Sequence, residues 1–206
     1  MSATEPRVFV VDDEASVRKS LGRLLKAAGY RVETFASARE FLQRPADNAI
    51  ACLVLDVQMP ELNGMELQQA LMDTNRVLPI VFITGHGDIP MSVRAMKAGA
   101  TDFLSKPFDE KDLLEAIQRA LDQAQQQSVE RAAGDEVRRR LASLTPREHE
   151  VLLQVLTGHL NKQIAATLGA AEKTIKVHRG RVMQKMQAQS VADLVRLCEK
   201  AGIRVP

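Results

Sequence analysis

Short apolar runs alternate with amphipathic stretches in the N-terminal part of the chain. The apolar runs are VFVV (8–11), ACLVL (51–55) and IVFI (80–83). Uninterrupted runs of this length are typical of strands buried on both faces of a parallel sheet. Helical spacing predicts helices over residues 16–28, 63–74, 90–98 and 109–121, and the capping box SARE at 37–40 predicts the start of a further helix. The alternation predicts an α/β doubly wound domain with a five-stranded parallel sheet, which we assign to residues 1–122.

The pattern changes in the second part of the chain. Residues 123–142 are polar and charged, which predicts a linker that is partly helical, with Gly134 interrupting any single helix. From residue 143 onward the pattern is entirely helical, so we predict an all-α domain of four helices over 143–206. A short helix, a tight turn containing glycine and then a basic helix are typical of a helix-turn-helix. The predicted helices begin at the Thr145–Glu148 capping box, at Asn161 as N-cap, at 172 and at Ser190, and the third ends at 186.

Charge divides the chain near the same point. Residues 1–124 hold 14 Lys and Arg against 18 Asp and Glu, a net of −4, whereas residues 125–206 hold 14 against 8, a net of +6. A basic all-α domain indicates a polyanionic partner. No apolar run reaches the roughly 18 residues of a membrane span, so we expect no membrane contact and a cytoplasmic protein. Cys52 and Cys198 lie far apart in apolar surroundings and are expected to be reduced and buried.

Polar residues follow the predicted strands. They are Asp12 and Asp13 after the first strand, Asp56 after the third, Thr84 after the fourth and Lys106 after the fifth. Functional groups of an open parallel sheet gather at the carboxyl ends of its strands, so we expect these side chains to converge. Three carboxylates favour a hard cation such as Mg²⁺, and a carboxylate can attack a phosphoryl group. Lys106 and Thr84 could then bind phosphoryl oxygens, and Gly85 would keep the approach open.

The predicted third helix of the all-α domain has two faces. Its apolar positions are Ile175, Val182 and Met186, which we expect to pack inward. The opposite face carries Lys173, Lys176, Val177, Gly180 and Gln184, and the helix has no acid after Glu172. A helix with such a face can enter the major groove of DNA.

These motifs resemble those of a known family. Residues 7–121 resemble the receiver domain of two-component response regulators, through VVDD, LVLDVQMP, ITGHGD and SKPF in the family's order. Residues 143–198 resemble the LuxR-type helix-turn-helix, through LTPREHEVL, NKQIAATLG and TIKVHRGRVMQKM. Together the two domains resemble FixJ-type transcription regulators.

The resemblance implies a phosphorylation site. Asp56 would accept a phosphoryl group from a sensor histidine kinase. Asp13 and Asp56 would bind Mg²⁺ or Mn²⁺, with Asp12 acting through a water molecule and Gln58 through its carbonyl. Lys106 would hold a phosphoryl oxygen, and its peptide bond to Pro107 would be cis.

The resemblance also implies a switch and an output. Thr84 and Phe103 would form the switch pair, and the face of the fourth helix and fifth strand would promote a homodimer after phosphorylation. Gln58 and His86 stand where relatives tune the lifetime of the phosphoryl group. The output domain would bind promoter DNA and recruit RNA polymerase, most simply as an activator.

The implied DNA contacts lie on the third helix. Lys176 and Val177 match positions that contact bases in relatives. Phosphate or base contacts are expected from Lys173 and Thr174, and phosphate contacts from Arg181 and Lys185. Two positions depart from the family pattern: Ala171 replaces the usual Ser or Asp cap, and Gly180 replaces a basic residue that contacts bases in many relatives.

Other functions fit the residues less well. An aspartyl-nucleophile phosphatase would need a second acid two residues after Asp56, and that residue is Gln58. We therefore expect no enzyme beyond the receiver's own phosphoryl transfer and dephosphorylation. A phosphorylation-independent regulator that uses its receiver only for protein contacts is the alternative, and the output domain could instead bind RNA or protein.

Overall fold

The computed structural model describes residues 6–45, 49–74, 76–85 and 89–203, and the chain divides into two compact units after Ser128. Five parallel strands form one sheet in the first unit, in the order β2-β1-β3-β4-β5. The strands are Arg7–Val11 (β1), Arg31–Phe35 (β2), Ala51–Asp56 (β3), Ile80–Thr84 (β4) and Asp102–Ser105 (β5). The predicted fold class is therefore confirmed.

Helices cover both faces of the sheet. They are Ala15–Ala27 (α1), Ala38–Gln43 (α2), Gly64–Asp73 (α3), Ile89–Lys97 (α4) and Glu110–Ala142 (α5). Alternate strand residues point to opposite faces, so Val8 and Val10 pack with α1 and the N-terminal part of α5, whereas Phe9 and Val11 pack with α2 and α3. Cys52 lies in the first of these cores, and burial raises the pKa of its thiol to about 12. Among the described residues, no helix combines the length and apolar character that a bilayer crossing requires.

The second unit is helical. Its further helices are Pro146–Leu156 (α6), Asn161–Leu168 (α7), Glu172–Met186 (α8) and Val191–Lys200 (α9). The Thr145 hydroxyl accepts from the Glu148 N–H and the Glu148 carboxylate accepts from the Thr145 N–H, which confirms the predicted capping box. Asn161 is the first helical residue and not the N-cap, which is Leu160. The prediction at Asn161 was wrong because its amide oxygen instead accepts from Arg179 Nη1 at 3.0 Å.

The predicted linker is helical throughout. Residues 123–142 are the C-terminal part of α5, so the prediction that Gly134 interrupts the helix was wrong. Glycine weakens a helix interior without forbidding it, and packing supports this part of α5. Val137 is buried in the core of the second unit, and Arg140 donates to the Met186 carbonyl at 3.2 Å. Residues 129–142 thus belong to the second compact unit.

Candidate functional site

The carboxyl edge of the sheet gathers the predicted acids. Asp56 is the last residue of β3, and Asp12 and Asp13 follow β1 directly. Carboxylate oxygens of these three residues all lie within 4.8 Å of one another. Such a donor set is suited to a hard divalent cation, which prefers oxygen ligands.

Lys106 links two of these acids. Its Nζ lies 2.9 Å from Asp12 Oδ2 and 2.8 Å from Asp56 Oδ2. The main chain holds Lys106 in place, because its N–H donates to the Thr84 carbonyl at 2.7 Å, and its bond to Pro107 is cis as predicted. Burial opposes the charged ammonium, but the hydrogen bonds to Asp56 and Asp12 outweigh this effect and raise the pKa of Lys106.

Asp12 and Asp13 differ in their surroundings. Asp12 is fully buried, and both of its carboxylate oxygens are engaged, Oδ1 by the Glu14 N–H at 2.8 Å and Oδ2 by Lys106. Burial raises the pKa of Asp12, and these hydrogen bonds act against that increase. Asp13 is exposed, and its carboxylate makes no hydrogen bond within the described residues. Among the described residues, Asp13 is therefore the acid of this cluster whose carboxylate oxygens have no hydrogen-bond partner.

The other predicted residues lie around this cluster. Thr84 ends β4 and is fully buried, whereas Gly85 is exposed and a Cβ added there would meet nothing within 4 Å. Phe103 is half-buried on β5, with its ring 6.2 Å from that of Phe82. Gln58 is exposed, and its N–H donates to Asp56 Oδ1 at 3.0 Å. His86 lies outside the described residues.

Two supporting residues were not identified from sequence. Arg18 on α1 donates through Nη1 to the carbonyls of Asp12 and Asp13, at 2.7 and 2.8 Å. Gly64 begins α3 so close to β3 that an added Cβ would lie 2.4 Å from the Asp56 carbonyl oxygen. The only sequence signal for Gly64 is a glycine directly after the helix cap Asn63. Arg18 thus binds the backbone of Asp12 and Asp13, and Gly64 allows α3 to pack closely against the backbone of Asp56.

The second candidate site is the outer face of α8. Its bounds are those predicted, and Ile175, Val182 and Met186 are fully buried, as expected. The outer residues Lys173, Thr174, Lys176, Val177, Gly180, Arg181 and Gln184 are all exposed. The side chains of Lys173, Lys176 and Arg181 make no ion pair or hydrogen bond within the described residues. These three cations are therefore available to a polyanion.

Other cations of this unit are held internally. Lys185 Nζ lies 2.7 Å from Glu148 Oε2 and donates to the Ser143 carbonyl at 2.9 Å. Lys185 and the N–H of Thr145 lower the pKa of the buried Glu148 carboxyl to about 2. The expected phosphate contact by Lys185 stays a prediction, and the internal pairing argues against it, because the ammonium neutralises a buried acid of its own domain.

Two residues depart from the family pattern, Ala171 at the start of α8 and Gly180 in its middle. Ala171 is the N-cap and provides no side-chain hydrogen bond, but its carbonyl accepts from the N–H groups of Thr174 and Ile175. The helix therefore forms without a polar cap. Gly180 lies on the exposed face, and an added Cβ would meet nothing within 4 Å.

Comparisons with known proteins cover almost the whole chain. Residues 8–118 match the response regulator receiver domain, and residues 142–198 match the bacterial regulatory proteins of the luxR family. Nodulation protein W of Bradyrhizobium diazoefficiens is 48% identical over 202 residues, which cover 98% of this chain and 89% of that protein. Transcriptional regulatory protein FixJ of the same organism is 42% identical, with 97% and 98% covered. The solved structure of response regulator StyR is 50% identical, with a TM-score of 0.79 and 95% and 99% covered.

Proposed function

This chain belongs to the FixJ-type transcriptional response regulators of two-component systems, and from that premise we propose that Asp56 accepts the phosphoryl group. One observation carries the proposal: Asp56 lies at the strand end where two further carboxylates and Lys106 converge. An Asp56 oxygen would attack the phosphorus of a phosphohistidine in the sensor kinase. The new O–P bond forms as the P–N bond breaks, and the histidine nitrogen keeps the bonding electron pair.

A divalent cation, Mg²⁺ or Mn²⁺, supplies positive charge that neutralises phosphoryl oxygens when it is bound. Asp13 and Asp56 would hold it directly, with the Gln58 carbonyl, and Asp12 would act through water. For Asp12 and Asp13 this division is supported by the fully engaged, buried carboxylate of Asp12 and the exposed carboxylate of Asp13, which has no hydrogen bond within the described residues. Both oxygens of Asp56 also accept hydrogen bonds, and its direct role is the one that the family resemblance implies. Lys106 and the Thr84 hydroxyl would bind phosphoryl oxygens, and Gly85 would leave room for them.

Phosphorylation would change the surface next to Thr84 and Phe103. Helix α4 exposes Ile89, Val93 and Met96, which are 81%, 44% and 46% exposed and recur at helical spacing along one stripe. Exposed apolar stripes of this kind are typical of protein interfaces. This stripe supports a homodimer through α4 and β5, and Val93→Asp should keep the phosphorylated protein monomeric in size-exclusion chromatography.

The output unit would bind promoter DNA in the cytoplasm and recruit RNA polymerase. Lys176 and Val177 are proposed to contact bases. Lys173 and Thr174, near the start of the helix, are proposed to contact phosphates or bases, and Arg181 is proposed to contact a phosphate. Their exposure and the absence of internal partners for the three cations support this assignment. We leave Lys185 out of this proposal because its ammonium already pairs with Glu148.

The test follows phosphoryl uptake and DNA binding in the same protein. The wild type, incubated with Mg²⁺ and a small acyl-phosphate donor, should form one phosphoprotein that is labile to alkali and hydroxylamine, and should bind duplex DNA more tightly. Asp56→Asn should lose both responses, whereas Asp73→Asn, which changes an exposed aspartate on α3, should keep them. Equal uptake by Asp56→Asn would contradict the acceptor assignment. Donor-independent binding by the wild type would favour the phosphorylation-independent alternative, which the comparisons do not support.

A further inference from the structure

Three exposed residues on the DNA-facing stripe of α8, C-terminal to Lys173, carry no charge. Val177, Gly180 and Gln184 fall within about 60° of one another around the helix axis, opposite the buried Ile175 and Val182. We call these three residues the neutral strip. Lys176 lies on one side of the strip and Arg181 on the other, and both are exposed. A helix in the major groove would thus place its neutral strip toward the base edges, with Lys176 beside the strip within reach of a base and Arg181 toward a backbone.

The structure of the domain does not explain why position 177 carries an exposed apolar residue or why position 180 carries a glycine. Val177 is an apolar side chain that is 49% exposed. Gly180 is helical, its φ is not positive, and in the part of the domain that the structure describes no atom beyond the adjacent helix backbone lies within 4 Å of an added Cβ. Glycine is a poor helix former, so it is normally placed inside a helix where another group must come close. No such group belongs to the described part of this domain, so we assign the close approach at Gly180 to the bound DNA.

The chemistry of the strip points to A·T base pairs. Thymine presents a methyl group in the major groove, for which an apolar side chain is the fitting partner, and adenine presents an acceptor and a donor that match a glutamine amide. Guanine, by contrast, is best bound by Arg or Lys. From Val177 to Gln184 the helix rises about 10 Å, which corresponds to about three base pairs at 3.4 Å each.

We propose that the neutral strip determines specificity by recognising A·T pairs in the half-site. Val177 packs on a thymine methyl, the missing side chain of Gly180 makes room for that methyl, and the Gln184 amide bonds an adenine. The inference rests on the proposed DNA binding by α8 and adds the class of sequence that α8 selects.

The experiment uses the full-length protein with Mg²⁺ and the phosphoryl donor. A preferred duplex is first selected from a random library, and each thymine in it is then replaced in turn by uracil, which lacks only the methyl group. One thymine of each half-site should be sensitive, with affinity falling about fourfold, the value of one buried methyl group. Failure to select any sequence would overturn the proposed DNA binding together with this inference.

Variants connect the sensitive base to the strip. Val177→Ala should bind the thymine and uracil duplexes equally, because the methyl has lost its partner. Gln184→Ala should lose the preference for adenine at one position, by about tenfold. Arg181→Ala is the matched control and should weaken all duplexes alike while keeping the uracil effect. A selected duplex with no sensitive thymine, or a uracil effect that persists in Val177→Ala, would refute the inference and leave the DNA binding intact.

Discussion

Lys106 and Lys176 both stand at positions for which we propose a function, but their surroundings are opposite. Lys106 lies between two buried carboxylates, at 2.9 and 2.8 Å, and its side chain is 20% exposed. Lys176 is exposed and its side chain has no polar partner among the described residues. Charge at the sheet edge is therefore balanced inside the chain, whereas charge on α8 is left for a partner. We expect stability to depend on the first lysine and DNA affinity on the second.

The largest effect is expected from Lys106→Met. Removing the ammonium leaves Asp12 and Asp56 as buried acids without their cation, which costs about 3 kcal/mol or more when a buried pair is broken. The loss should appear as faster amide hydrogen exchange in β1 and β3. Lys176→Met is the matched control and should change stability by less than about 0.5 kcal/mol. Equal losses in the two variants would remove the distinction between the two lysines.

Gly64→Ala tests whether the backbone under Asp56 is as tightly constrained as its side chain. The new methyl would lie 2.4 Å from the Asp56 carbonyl oxygen, so α3 or β3 must shift. Overpacking of this kind costs about 1–3 kcal/mol, and the rate of phosphoryl uptake should fall as well. Gly22→Ala is the control, since its Cβ would lie 3.8 Å from Thr34 Cγ2, an ordinary contact. Unchanged uptake in Gly64→Ala would show that the acids tolerate movement of this backbone.

Glu148 and Lys185 form an ion pair inside the DNA-binding unit. The pKa of Glu148 is lowered from 4.5 to about 2, so its ionised form stabilises the fold fully above about pH 4.5. This contribution is lost as the pH falls toward 2. The protection of α6 and α8 against hydrogen exchange, corrected for the intrinsic pH dependence of exchange, should therefore fall as the pH is lowered from about 4.5 toward about 2. Glu148→Gln and Lys185→Met should flatten this dependence, whereas Lys176→Met should retain it; a slope that survives in Glu148→Gln would assign the acid sensitivity to another group.

The salt dependence of DNA binding should distinguish the cations that contact DNA phosphates from the cation that is paired inside the domain. Each phosphate contact contributes about 0.9 to the slope of log K against log salt concentration. Lys173→Ala, Lys176→Ala and Arg181→Ala should each reduce the slope by up to about that amount, whereas Lys185→Met should leave it unchanged. Lys176→Ala should also weaken binding to the selected duplex more than Arg181→Ala does. The reverse ranking in a competition assay would exchange their proposed base and phosphate roles.

Local patterns predicted the elements well, but not the long-range partners. The α8 bounds, the Thr145 capping box and the strand-end acids follow from spacing within a few residues. The Lys185–Glu148 pair joins residues 37 positions apart, so the basic run around Lys185 gave no sign of it. Gly134 was expected to break α5 because intrinsic propensity omits the packing of Val137 nearby. The close approach of Gly64 to Asp56 likewise exists only once α3 and β3 are assembled.

The smallest effect is expected from Gly180→Ala, and its sign is opposite to that of Gly64→Ala. The added methyl meets nothing within 4 Å, so the variant gains the helix propensity of alanine, about 0.5–1 kcal/mol. Hydrogen exchange of α8 should slow by a corresponding factor. If the glycine is kept for a close approach by DNA, the same methyl should weaken binding to the selected duplex, although the protein is more stable. A variant that is both more stable and equally tight in binding would show that Gly180 serves no purpose at the DNA surface, because neither the fold nor the ligand would then require it.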